Sequence, residues 1–298
     1  MPAPRTAPPP LIALTLGDPA GIGPEVVAKT LRDSHRPKGF RFEVLGRPGK
    51  TRSGTATPAS ARIALAALRQ AAQGCRAGRF AAMVTGPVQK ETIARIAPGF
   101  VGQTEFLARA CGRPDDEAVM VLTDPKLTVA LATNHCSLRD ALARLTPDRL
   151  VYVATRTAEF LHQRGVAKPR LALAGVNPHA GENGLFGDEE ARLLVPALAR
   201  LHATGLDVTG PHAPDTVFYH AAAGRYDAVI CAYHDQGLIP FKLVAFQTGV
   251  NVTLGLPLIR TSPDHGTALD LAGRGVADHR SMLAAVKLAC RLVRARTA

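Results

Sequence analysis

RLALAGVNPHAGENGLFGDEEARLLVPALARLHAT, residues 170–204, decides the fold class. Arg170 to Gly175 is a short aliphatic run of strand length, and Asp188 to Thr204 spaces its leucines as one face of a helix. Between them lies a loop rich in Asn, Gly and Pro. Strand, loop and helix in that order form the unit of α/β proteins. The unit recurs outward in both directions. Leu11 to Leu16 reads as a strand, and Pro24 to Leu31 as the helix after it. Phe42 to Leu45 and Ala81 to Thr85 read as strands on either side of an amphipathic helix, Ala59 to Ala77. Val119 to Leu122 and Thr128 to Thr133 form a strand pair around an Asp124-Pro125 turn, and Thr146-Pro147-Asp148 starts a helix that runs to about Gly165. Asp227 to Ala232 and Val250 to Leu254 are further strands, and the segment from Ser281 is helical.

Composition narrows the function classes. The chain has 298 residues, 46% hydrophobic and 20% charged, enough for two lobes. No linker separates two domains, so the chain is expected to cross between lobes: 1–103 with 239–298 as the first, 104–238 as the second. No apolar run approaches the roughly 18 residues of a membrane span. The proline-rich start, Met1 to Pro10, lacks the features of a signal peptide and is read as a disordered leader on a cytoplasmic protein. Five scattered cysteines with no CxxC point to free, buried thiols, with Cys136 set apart by its neighbour His135. The net charge of +12 admits a nucleic-acid binder, but the basic residues are dispersed and only 4 Tyr, 10 Phe and no Trp are available for stacking. Attraction of an anionic substrate and cofactor is a sufficient use for the charge.

Three segments carry chemistry. Gly17-Asp18-Pro19-Ala20-Gly21-Ile22-Gly23-Pro24-Glu25 joins a strand to a helix whose amide-rich start suits an anion, yet it is not GxGxxG. His135, His179 and His234 each follow a strand, at the carboxyl ends where ligands gather in open α/β sheets. Three neutral imidazoles suit a divalent ion such as zinc, against the alternative of hydrogen-bonded structural histidines. Lys242, Asn251 and Arg260 lie close together in sequence among apolar residues, as a pocket for carboxylate or phosphate requires.

At this point the chain resembles the 4-hydroxythreonine-4-phosphate dehydrogenases of pyridoxal phosphate biosynthesis and their close paralogues. The matching segments are GDPAGIGPE (17–25), VTGPVQK (84–90), GQTEFL (102–107), ATNH (132–135), VNPHAGENGLFGDEE (176–190), DTVF (215–218), AYHDQGLIPFK (232–242) and GVNVTLGLPLIRTSPDHGTALDLAG (249–273). The resemblance implies a two-lobed α/β fold like the isocitrate and isopropylmalate dehydrogenases, with a central cleft. It implies a homodimer whose active site is completed by the partner subunit. It implies one divalent metal ion (zinc, magnesium or cobalt) on His135, His179 and His234, and substrate on Thr104, Lys242, Asn251 and Arg260, with Gln103 standing at a further substrate position. NAD or NADP is expected on the loop of His265, Gly266, Thr267, Ala268 and Asp270. Oxidation of a small anionic hydroxy acid, followed by decarboxylation, is the implied chemistry. The resemblance does not identify the general base; on chemistry alone Lys242 and Asp235 are candidates, with Lys242 preferred if burial or nearby cations lower its pKa.

Two features depart from the family pattern. Gln103 stands where the family usually has a histidine that contacts substrate, and Gln cannot carry charge or shuttle a proton. From Leu45-Gly46-Arg47-Pro48 the chain passes almost directly to the Ala59 helix, where most relatives have an extra helix and strand. The Gln103 change raises a four-carbon sugar-acid phosphate, or an aromatic cis-dihydrodiol carboxylate such as that from terephthalate, as alternative substrates. A metal-dependent hydrolase would have no use for DHGTALDLAG, and a non-catalytic binding protein would not need the three histidines with Lys242, Asn251 and Arg260.

Overall fold

The computed structural model describes residues 8–297; most of the proline-rich leader, residues 1–7, lies outside them. The elements begin with β1 (Leu11–Thr15), α1 (Gly23–Arg32), β2 (Arg41–Leu45), α2 (Pro58–Arg76), β3 (Ala82–Thr85), α3 (Lys90–Ile96) and α4 (Gln103–Ala110). Next come β4 (Val119–Thr123), β5 (Thr128–Leu131), α5 (Leu138–Arg144), α6 (Pro147–Gln163), β6 (Arg170–Ala174), α7 (Val195–Ala203), β7 (Asp207–His212) and α8 (Val217–Ala222). The last are β8 (Ala228–Cys231), α9 (His234–Ala245), β9 (Val250–Leu254), β10 (Arg260–Pro263) and α10 (Arg280–Thr297).

The chain folds as two compact units. The first runs to Phe100 and adds Ala110–Gly112 and Pro257–Thr297. Its strands lie in the order β2-β1-β3-β10, all parallel. Ile12, Ala13 and Leu14 of β1 are fully buried, as a continuous aliphatic strand in a parallel sheet should be. Thr57 starts α2 with a reciprocal capping box to Ser60, and Pro58 fills the first helical position, where its missing N–H costs nothing. Ala61, Ala64, Leu65, Leu68, Ala71 and Ala72 then form the buried face of that helix.

The second unit comprises Val101–Arg109 and Arg113–Leu256, with strand order β9-β4-β5-β8-β6-β7. β5, β8, β6 and β7 are parallel; β4 runs against both of its neighbours. Its core joins Leu122, Leu127, Val129 and Leu131 to Ala172, Ala174, Val229 and Cys231, with Phe241 and Ala245 of α9 covering them.

That core explains where the division departs from the sequence expectation. The return to the first unit comes after Leu256, not at 239. Phe241 commits α9 to the second unit's core, and β9 pairs with β4 from Val119↔Leu254 to Thr123↔Val250. The short elements α3, α4, α5, α8, β7 and β10 are too brief to show a period in sequence, and α9 is masked by Gly237 and Pro240 within it. The helix expected over Asp188–Thr204 opens with a π-helical turn, Glu190–Leu194, before α7.

Candidate active site

β5, β8 and β6 lie side by side and parallel, so their carboxyl ends share one edge. Each of the three histidines follows one of them: His135 after β5, His179 after β6, and His234 after β8 as the first residue of α9. Side chains stitch these ends together. Thr133 donates its hydroxyl to the Ala232 carbonyl at 2.8 Å. Buried Gln236 accepts from the Ala232 N–H and donates to the Gly175 carbonyl, both at 2.7 Å. The amide thus ties the strand end before His234 to the one before His179.

His135 and His234 meet, with ring centroids 5.5 Å apart. A carboxylate holds Nδ1 of each ring: Glu105 Oε1 lies 3.1 Å from His135, and Asp235 Oδ1 lies 2.6 Å from His234. A carboxylate only accepts, so in this geometry a neutral ring would carry its proton on Nδ1 and leave Nε2 as the acceptor. A cavity of about 410 Å³ opens beside the pair, lined by Asn134, His135, Cys136, Leu138, Ala141, Tyr233, His234 and Asp235. The Asn134 Oδ1 is buried and without a hydrogen-bond partner among the described residues.

His179 is placed differently. It opens a run of six residues with positive φ, His179, Ala180, Gly181, Glu182, Asn183 and Gly184 (φ from 42 to 93°). For residues other than glycine this left-handed backbone costs roughly 1–2 kcal/mol each, so something must over-determine it. Glu190 does. Its buried carboxylate accepts from the Val176 and Asn177 N–H groups at 2.7 Å and from Asn177 Nδ2 at 2.9 Å, while Glu189 takes the other amide proton at 2.7 Å. The His179 ring is exposed and faces Phe186, at 6.0 Å between centroids. Among the described residues, no group of three His, Cys, Asp or Glu side chains is arranged to hold a metal ion. The expected three-histidine set is therefore not assembled within one chain: His135 and His234 pair, and His179 does not complete a trio.

The substrate-binding candidates fall in both units. Gln103 and buried Thr104 open α4, Lys242 lies on α9 with its Nζ 5.9 Å from the Phe246 ring, and Asn251 on β9 stands opposite Leu122. All four belong to the second unit, with the histidines. Arg260 belongs to the first, as the opening residue of β10. It is 3% exposed and donates through Nε to Thr85 Oγ1 at 3.0 Å.

The first unit also holds the expected cofactor loop. Thr267 is buried, donates to Gln89 Oε1 at 3.0 Å, and accepts at its carbonyl from the Ile22 N–H at 2.9 Å. A Cβ on Gly21 would lie 2.7 Å from that carbonyl oxygen, so the two loops approach closely only because residue 21 is glycine. The Gly54 N–H donates to the Ala20 carbonyl at 2.8 Å, which docks the short segment after β2 on the same loop. Ala268 has φ 40°, and Asp270 and Gly266 are exposed. His265 Nδ1 is bonded to the Gly266 carbonyl at 3.0 Å, and its Nε2 is buried without a hydrogen-bond partner among the described residues. Sequence reading found both loops but not that they form one structure, because their contact spans about 245 residues and rests on an absent Cβ.

These features define a class first. The fold is that of the isocitrate dehydrogenases: the enzyme from Methylococcus capsulatus superposes with a TM-score of 0.56 at 15% identity, over 96% of this chain and 88% of that one. The family follows. The pattern for the pyridoxal phosphate biosynthetic protein PdxA matches residues 25–289, and the chain belongs to that family. It is 41% identical to the 4-hydroxythreonine-4-phosphate dehydrogenase of Bradyrhizobium diazoefficiens, over 96% of this chain and 98% of the relative. The crystal structure of the enzyme of that name from Klebsiella pneumoniae gives a TM-score of 0.80 at 38% identity, covering 95% and 99% of the two chains. A terephthalate 1,2-cis-dihydrodiol dehydrogenase from Burkholderia xenovorans is more distant, with a TM-score of 0.67 at 27% identity over 94% and 97%. The chain is an oxidoreductase of the pyridoxal phosphate biosynthetic family. No helix among the described residues is long and apolar enough to cross a membrane.

Proposed function

We propose that this protein oxidises 4-hydroxythreonine 4-phosphate with NAD or NADP and a divalent metal ion (zinc, magnesium or cobalt), with loss of CO₂ from the β-keto acid, as a homodimer with shared sites. The observation that carries the reading is the paired imidazoles of His135 and His234, each held at Nδ1 by a carboxylate, in a chain 41% identical to an enzyme of that name. Two ligands fit a metal ion within one chain, and the third, His179, would come from a second copy. Its exposed position suits that role. A divalent ion held there would polarise the substrate's hydroxyl oxygen and make its proton easier to lose.

The chain's own groups do the rest. Gln103 and Thr104 offer neutral hydrogen bonds to the substrate from the start of α4. Arg260 would grip its anionic end through its planar fork, and Asn251 would orient it. Lys242 is assigned to take the hydroxyl proton, and the carbon that bears that hydroxyl would give its hydride to a bound nicotinamide. His265, Gly266, Thr267, Ala268 and Asp270 hold the dinucleotide, and the unmatched His265 Nε2 is a site for its polar edge.

The test is NAD(P)H formation by the purified protein, with and without a divalent ion, on three substrates. 4-Hydroxythreonine 4-phosphate should be turned over fastest and only with metal. Turnover of a four-carbon sugar-acid phosphate or a cis-dihydrodiol carboxylate in its place would overturn the substrate.

A further inference from the structure

Glu105 comes from a different element than the imidazole it holds, thirty residues earlier in the chain. It is the third residue of α4 and only 7% exposed. A buried carboxylate is costly unless it is partnered, and the His135 ring is one partner that the fold brings to Glu105. The backbone is shaped around the contact. A Cβ on Gly102 would lie 2.8 Å from Glu105 Oε2 and 3.3 Å from His135 Cε1, so glycine lets the start of α4 close on both groups at once. Asp235 makes the equivalent contact to His234, but it is a sequence neighbour on an exposed side chain. Glu105 is the one built into the fold.

We propose that Glu105 is a positioning residue. By accepting the Nδ1 proton of His135 it fixes the ring's tautomer and orientation, so that Nε2 is the ligand nitrogen. Carboxylates in this position commonly contribute 10- to 100-fold in metal affinity. Because Gln103 and Thr104 sit on the same turn as Glu105, the helix start that would meet substrate also sets the geometry of a metal ligand. The inference rests on the metal reading above, and its test separates the two.

Two readouts suffice. The first is the ¹⁵N spectrum of the metal-free wild-type protein labelled at histidine, with His135 assigned through a His135→Gln variant. At a pH where the ring is neutral, His135 should carry its proton on Nδ1. A proton on Nε2 overturns the inference whatever the metal does. The second is the zinc and cobalt affinity of wild type, Glu105→Gln and Glu105→Asp, by competition with a chromophoric chelator and by cobalt d–d absorption. Glu105→Gln should weaken binding by about 10- to 100-fold, with Glu105→Asp recovering part of it. Equal affinity in folded wild type and Glu105→Gln overturns the role of Glu105. A wild type that binds neither metal overturns the metal reading, while the tautomer still decides whether Glu105 sets the ring.

Discussion

Gln103 is the residue at which this chain departs most clearly from the pattern it resembles, and it opens the helix turn that also carries Thr104 and Glu105. A neutral amide there can bond a phosphate or hydroxyl but adds no charge. Gln103→His is expected to raise kcat/KM for 4-hydroxythreonine 4-phosphate about tenfold, or ~1.4 kcal/mol of transition-state binding. Steady-state kinetics checks it, and an unchanged or lower value would remove position 103 from specificity. At this scale the sequence was informative where a residue's own type announces chemistry. His135, His179 and His234 stood out because imidazole after a strand is distinctive. Glu105, Glu190 and Gln236 did not, since a carboxylate or amide is ordinary on a helix. Their partners (His135, the Val176 and Asn177 amides, the Gly175 carbonyl) are fixed only by the fold. The expectation for the cysteines holds in part: none of the five is in a disulfide, and Cys111, Cys231 and Cys290 are buried while Cys75 and Cys136 are half-buried. Burial pushes the Cys75 and Cys290 thiols up to about 12 and Cys231 still further, which leaves them inert as nucleophiles near neutrality.

Among the elements, the left-handed run 179–184 and the π-helical turn 190–194 belong to one device. The second supplies Glu190, whose carboxylate ties the backbone that enters the first. Neither conformation has a signature in sequence: the expectation of a plain loop and a plain helix follows from composition alone. Glu190→Gln would set an amide NH₂ against Asn177 Nδ2, donor facing donor, in a 5% exposed site. It should cost about 1–3 kcal/mol of stability and lower metal-dependent turnover together with Tm. A thermal melt and an assay read both, and an unaltered Tm would mean that the carboxylate is not what holds the turn.

A second element-scale prediction concerns pH. Asp33, at the end of α1, lies 2.8 Å from His279 Nε2 and also accepts from the His35 N–H at 2.7 Å. The bond from His279 and that backbone N–H hold its carboxyl at about 2, below the ordinary value. A depressed folded-state pKa stabilises above the unfolded value and loses its effect as pH falls through the folded one. The Tm gap between wild type and Asp33→Asn should therefore be widest above about pH 4 and close by about pH 2. A gap that stays constant over that range would contradict it.

For the whole molecule, the α/β class was legible because nearly every strand in the centre of a sheet is a continuous aliphatic run. The course of the chain between its units was less so. The residue at which it returns depends on Phe241 packing into the second core and on the β4–β9 pairing, both long-range facts. The candidate site shows the same limit at larger scale. One chain brings His135 and His234 together and leaves His179 exposed, so the three-histidine expectation is met only if another copy supplies the third ring. Subunit complementation probes that shared assembly, acting on 4-hydroxythreonine 4-phosphate. His135→Ala and His179→Ala, each inactive alone, are mixed, dissociated and reassociated, and NAD(P)H formation is measured. Half the dimers should then be mixed, each with one intact site of two, so about a quarter of wild-type activity should return. Activity in either variant alone, or a mixture that stays silent while wild type turns over, would contradict the shared site.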